Sequence, residues 1–454
     1  MEKYYVFIET SGENENNKII KCITSQSIEN ILSDIDREEV GGEQKVILEK
    51  NNDEFLDLYL NYMKSSQIHL DTSRQVIFLL ESFRRARDDK KIRRYVEEHG
   101  EQVWISKDND KEVIYSVNED SLMTISRNLR KSLEDKEKAS HFPGMFLSGL
   151  ISSYDAYLSD LIRIILNSYP KIIDKSEKNI TAEEIFRFSS IDDVKVYLID
   201  RQIDKLMRGS HKDQIRWISD KMHFKMEDEI DGLKDFIEIC ERRNLYTHTN
   251  SIVSSQYVGV CKENSIKTEF SIGDFAKIDR FYYNNSVNVV ISIFISIFFN
   301  VYSKINKTKI PELFSTIDES AYELMLEGNI KTSSAIYRYI NKKIESNPTI
   351  PDSTKKRITI NYANALKLGG KKEEAVEIIN KIDWETSTEN YKICVASIKD
   401  DVGYVIKKMK IAVESCDDFD LSCFKEWPVF KSLRKNEEFI TKFEEVFGEK
   451  LHNK

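Results

Sequence analysis

Glu241-Arg242-Arg243-Asn244-Leu245-Tyr246-Thr247-His248-Thr249-Asn250 is the stretch on which the reading of this chain turns. It follows residues 231–240, where Leu233, Phe236, Ile237 and Cys240 recur at the i, i+3, i+4, i+7 spacing of an amphipathic helix. If that helix continues, Asn244 and His248 are neighbours on one face, one turn apart. Arg243 lies five residues before His248, about 500° of rotation at about 100° per residue, and projects from an adjoining face. The segment thus offers a permanent planar cation, a carboxamide and an imidazole that titrates near neutral pH. Such a set suits a phosphodiester: one group holds the phosphate while another moves a proton.

Spacing alone does not single the segment out. Arg94 and His99 are equally far apart, but Tyr95 follows the arginine; Arg216 and His223 are slightly further apart, with Trp217 in the polar slot. A plainer reading also stands beside the chemical one. His248 then complements the dipole at a helix C-terminus while Arg243 is solvated nearby, and Asn244 has no role.

The run Arg243-Asn244-Leu245-Tyr246-Thr247-His248, with Thr249-Asn250-Ser251-Ile252-Val253 after it, resembles the signature of the HEPN superfamily of helical bundles. The resemblance extends over residues 136–306. It implies a long apolar first helix (residues 145–166), a variable middle, the motif near the end of a later helix, and a final packing helix (residues 287–301). It also implies a metal-independent endoribonuclease of the toxin or anti-phage, abortive-infection kind. The active site is composite, built by a homodimer, with RNA as substrate, Arg243, Asn244 and His248 as catalytic residues, and no cofactor or metal.

Composition bounds the rest. A chain of 454 residues with 32% charged residues, 15 glycines and 6 prolines favours a mainly α protein over a sandwich or a disordered chain. The formal charge of -9 argues against broad non-specific duplex binding, though not against a local basic site. Six scattered cysteines include no CxxC pair, so zinc spacing is absent and reduced cytosolic thiols are expected. The first residues lack the features of a signal peptide, and a cytoplasmic location is expected.

Three regions are expected. Residues 1–135 read as a mixed α/β module with strands at 4–9, 18–24, 45–48, 103–106 and 113–117 and helices at 27–35, 53–63, 72–83 and 121–133. Its basic run from Arg84 to Arg94 is either a solvated helix face with ion pairs one turn apart or a phosphate-binding patch. Residues 136–306 form the HEPN-like bundle. In it Pro143-Gly144 is expected to break the chain, Asp155 and Asp160 are read as surface charge, and residues 252–261 as extended. The apolar run 287–301 falls short of the roughly 20 residues of a membrane span. Its polar stripe of Asn288, Ser292, Ser296 and Asn300 points to burial in a bundle, with no membrane partner. Residues 307–454 resemble tetratricopeptide (TPR) repeats: helix pairs turn at Gly328, Gly369-Gly370 and Gly403, and Trp427 to Phe447 closes the stack. Such arrays bind protein partners. The competing reading is a non-catalytic HEPN-TPR dimerisation or adaptor protein that senses or recruits a partner.

Overall fold

The β-branched and aromatic runs at the start of the chain pair as their pattern predicts. Strand β1 (Tyr4–Glu9) lies antiparallel to β2 (Lys18–Thr24), with a register shift between Phe7 and Ile8. These strands belong to a unit of residues 1–52, and residues 53–454 form a second unit. The structure, a computed structural model, describes residues 4–9, 18–24, 53–87, 89–105, 113–174, 177, 179–345, 347–416 and 418–451. The helix expected at 27–35 and the strand expected at 45–48 lie outside them.

The second unit opens with helix α1 (Glu54–Arg87) and α2 (Asp89–His99). The two helices expected at 53–63 and 72–83 are one, because the intervening residues contain no glycine or proline and Ser66, Leu70 and Ser73 are buried. A hairpin of β3 (Glu101–Ile105) and β4 (Val113–Ser116) follows. In the basic run, Arg93 and Arg94 pair one turn ahead with Glu97 and Glu98 at 2.8 and 2.9 Å, the solvated-face arrangement. The side chains of residues 77–90 lie outside the description.

Helix α3 (Glu119–Ser168) corrects the expected break, since Pro143 sits inside it. An interior proline removes one backbone hydrogen bond and costs about 3 kcal/mol. Packing of the flanking turns offsets that cost. Leu147, Leu150, Ile151, Tyr154, Leu158, Leu161, Ile162 and Ile165 are all buried beyond the proline. Gly144 has its own reason: a Cβ there would overlap the ring of Tyr246, whose hydroxyl donates to the His141 carbonyl at 3.3 Å.

Shorter helices follow: α4 (Ala182–Ile185), α5 (Ile191–Met207), α6 (His211–Met222), α7 (Met226–Glu229) and α8 (Leu233–Thr249). Capping boxes start α4, through Thr181 and Glu184, and α5, through Ser190 and Asp193. Residues 252–261, expected to be extended, are mostly helix α9 (Ser255–Glu263); only Ile252 pairs as a strand would, with Phe275. Ser254 caps α9, and Tyr257 and Cys261 bury one turn apart, which outweighs their β-branched neighbours.

Helix α10 (Arg280–Ile305) is long and apolar enough to cross a membrane, and 78% of its apolar window is buried within the protein. Its polar stripe meets the next region. Asn300 donates to the Ser296 carbonyl at 2.8 Å and to the Tyr339 hydroxyl at 3.2 Å, and Thr332 bonds Asn288.

The remaining helices form antiparallel pairs: α11 (Ile310–Leu326) with α12 (Ile330–Glu345), α13 (Asp352–Leu368) with α14 (Lys372–Asn380), and α15 (Glu389–Lys399) with α16 (Val402–Ser415). Gly328 and Gly370 turn the first two at φ 81° and 82°. The third turn is made by Asp400 at φ 62°, and Gly403 lies inside α16, not in the turn. Short α17 (Leu421–Glu426) and final α18 (Glu437–Phe447) close the end around Phe419, Phe424, Phe430, Phe439 and Phe443.

The position expected as a boundary at 135/136 falls inside α3; a large cluster of buried apolar residues from Phe55 to Leu451 spans that at 306/307, and a smaller one joins Leu245, Val253, Tyr257, Cys261 and Ala276.

Candidate functional site

Helix α8 starts after Gly232 (φ 82°), has Asp235 in its first turn and His248 in its last. Phe236, Ile239, Cys240 and Leu245 are buried, which fixes its rotation. Its end is tied down. Asn250 (φ 51°) and Ser251 (φ 65°) are consecutive left-handed residues, and the N–H of Ser251 returns to the Leu245 carbonyl at 3.0 Å. The Thr249 hydroxyl lies 2.7 Å from the Ile252 carbonyl.

The two arginines of the motif have different surroundings. Arg242 is only 6% exposed. Its guanidinium sits 4.7 Å from the ring centres of both Phe270 and Tyr282, and it bonds Glu238 at 2.6 Å and the Lys277 carbonyl at 3.2 Å. Tyr257 and Tyr282 also donate to Glu238, at 2.7 and 2.6 Å. Burial, reinforced by the Glu238 carboxylate, pushes both phenols up, so they remain donors. Arg242 therefore clamps residues 257–282 to α8.

Arg243 turns instead towards α3. Its Nη2 donates to Asp155 Oδ2 across 3.4 Å, and its buried Nε has no partner. The Arg243 side chain keeps 20% of its surface exposed. Asp155 Oδ1 lies 3.0 Å from His211 Nε2 on α6. The His211 ring meets Phe236 edge-on at 5.7 Å and packs by Tyr154 at 6.3 Å. Three helices thus bring Arg243, Asp155 and His211 into one network. Asn244 Nδ2 donates to Glu241 Oε1 at 3.3 Å. Burial holds the Glu241 carboxyl above its usual range, against the opposing effects of the Asn244 bond, His211 and Arg243. The neighbouring Cys240 thiol is raised by burial first and Asp155 next, which leaves it unreactive.

His248 is exposed, and its imidazole bonds no group among the described residues. The structure therefore joins Arg243 to Asp155 and Asn244 to Glu241, and links His248 to neither. The sequence reading missed His211 and Glu241 and took Asp155 for surface charge, whereas Asp155 is part-buried between His211 and Arg243. For Asp155 and His211 no local signal exists, because they lie 88 and 56 positions from their partners Arg243 and Asp155. Glu241 adjoins the motif, and only its burial marks it. The two look-alike pairs serve local structure. Arg94 is paired to Glu98 and His99 stacks on Tyr95 at 4.2 Å, while Arg216 pairs with Asp213 and His223 ends α6 at φ 55°.

A cleft of about 780 Å³ adjoins the end of α8. Gly144 and Ser148 of α3, Tyr246 and Thr247 of α8, and residues 275–278 form its walls. Among the described residues no group of three histidine, cysteine or carboxylate side chains is placed to hold a metal ion.

No protein-family model, no curated protein and no solved structure matches this chain.

Proposed function

We propose that this protein is a HEPN-type, metal-independent endoribonuclease of a toxin or anti-phage system, acting in the cytoplasm as a homodimer, with TPR-like helix pairs at its C-terminal end. The observation that carries the reading is the contrast along α8. Arg242 is consumed by structure, whereas among the described residues His248 is exposed without a partner and Arg243 is held by one 3.4 Å contact. Groups left available at the surface of a tied-down helix are groups that can act on something else.

RNA carries its own nucleophile, the 2′-hydroxyl. His248 takes the proton from that hydroxyl as its oxygen attacks the adjacent phosphorus. Arg243 offers its planar donors to the phosphate oxygens as charge builds on them, and Asn244 hydrogen-bonds a phosphate oxygen or orients His248. The P–O5′ bond breaks and the leaving oxygen receives a proton from a second imidazole. The products are a 2′,3′-cyclic phosphate and a free 5′-hydroxyl. Arg243 and His248 project about 140° apart on α8, the 500° less one full turn, which favours a site shared by two copies over one built within a single chain.

The test is incubation of the purified protein with total RNA and tRNA in excess chelator, with product ends mapped. Wild type should cleave, and Arg243→Ala and His248→Ala should each lose about 100-fold or more while eluting at the wild-type size. No cleavage by wild type at concentrations where it is dimeric would sink the nuclease reading.

A second reading rests on a different feature. A groove of about 350 Å³ runs along α11, α13 and α15 and is edged by Tyr322, Arg357, Asn361, Asn364, Asn390 and Tyr391. Carboxamides, tyrosines and an arginine suit an extended peptide, as an adaptor would need. An adaptor would keep its biological effect after His248→Ala.

A further inference from the structure

We propose that the cleft between α3, the end of α8 and residues 275–278 seats an unpaired nucleotide of the RNA strand, next to the phosphate being cleaved. This inference rests on the nuclease reading of Arg243 and His248 and adds how that site would hold its substrate.

Charge is the first argument. The chain carries 77 acidic residues, yet none of the described residues that line the cleft is a carboxylate. Three other clefts among the described residues each have at least one. Asp231, Asp235 and Glu374 line the cleft beside α12, Glu238 and Glu269 that around Arg242, and Asp418 the groove of the helix pairs. The one beside α8 is therefore the cleft among them that does not repel a phosphate by its own lining. It contains Lys277, exposed and with no side-chain partner among the described residues. His141 stands at the same wall.

The second argument is an aromatic platform. Phe275 is 58% exposed where it lines the cleft. Its backbone is nevertheless fixed. It forms a bridge with Ile252, and the N–H groups of Val253 and Ala276 bond the carbonyls of Asp274 and Ser251 at 2.9 and 2.8 Å. An exposed ring on a fixed backbone at the edge of the cleft is a surface on which a base can stack. Tyr246 supplies a second ring in the wall, and Thr247 and Asn250 supply a hydroxyl and a carboxamide for base edges or sugar.

Position and size complete the case. Thr247 lies one turn beyond Arg243 on α8, and His248 is its neighbour in the chain, so the cleft begins where the proposed chemistry ends. A volume of about 780 Å³ falls in the usual range of ligand pockets, roughly 300–1,000 Å³. Only unstacked bases can enter, which selects single-stranded RNA over duplex.

The experiment uses the full chain and a short, fluorescein-labelled single strand carrying 2′-O-methyl groups throughout, which cannot be cleaved, with its duplex as comparison. Binding is followed by anisotropy for wild type, Phe275→Ala, Lys277→Gln and, as a charge control, Lys331→Gln; thermal melts confirm that each is folded. Phe275→Ala and Lys277→Gln should each weaken single-strand binding about tenfold, with wild type and Lys331→Gln alike and the duplex bound more weakly. On cleavable RNA the same two variants should raise KM by a similar factor and leave kcat within about twofold. If both bind and cleave as wild type does, the cleft is not a nucleotide seat and the roles of Arg243 and His248 stand untouched. If the two variants lose binding but wild type never cleaves, the cleft holds RNA and the nuclease reading falls. A wild type that binds no single strand overturns both.

Discussion

Arg242 and Arg243 are adjacent in the chain, and about 100° of helical rotation separates a clamp on residues 257–282 from a side chain that faces Asp155. The sequence marks the pair but not which member does which, because the distinction depends on Phe270, Tyr282 and Asp155, all distant in the chain. Glu241 carries the clearest consequence at this scale. Burial raises its folded pKa above the unfolded value, so between those two values the folded protein holds more protons than the unfolded chain. Stability contributed by that proton is present below the unfolded pKa and lost as pH rises through the folded one. Glu241→Gln removes the charged form from the half-buried position. Its melting temperature should exceed that of wild type at pH 7, and the advantage should vanish below the ordinary carboxylate range. An equal gain at both pH values would mean that burial of the charge is not the cause.

At the scale of elements, much of the helical pattern was visible from spacing, including the run that leads into α8 and the buried character of α10. Joins were not visible. Pro143-Gly144 reads as a break in any local window; burial of the turns beyond it carries the helix through the proline, and Tyr246, about 100 residues away, requires the glycine. The Gly403 turn failed for the opposite reason: a short acidic residue, Asp400, takes the left-handed position as an alternative to glycine. The polar stripe of α10 was legible as a stripe, and the structure shows its use as the seam to α12. Asn300→Ala removes bonds to the Ser296 carbonyl and the Tyr339 hydroxyl. It should lower stability by about 1–3 kcal/mol in urea unfolding. A change below about 0.5 kcal/mol, the level of ordinary surface substitutions, would show that the stripe does not hold the seam.

The whole molecule divides differently from its composition. The first 52 residues form one unit and the remaining chain another, so α1 and the β3–β4 hairpin fall in the second unit with the central helices and not in a separate N-terminal module. A protein starting at Asp53 should therefore be expressed folded and unfold in one cooperative transition, checked by calorimetry against the full chain. Two well-separated transitions for this shortened protein would contradict its folding as one unit around the large buried cluster that runs from Phe55 to Leu451. The packing that binds α1 to α3 and α10 joins residues 96 and 228 positions apart, as between Asn61 and Tyr157 and between Tyr62 and Val290, a range no local window of sequence covers. The tied end of α8 has a further consequence. Helix ends ordinarily fray, and ordering each residue costs about 1–2 kcal/mol of backbone entropy. With Asn250 and Ser251 locking the last turn, that loss is already complete when the chain folds, and a surface that meets His248 has almost no disorder left to remove there.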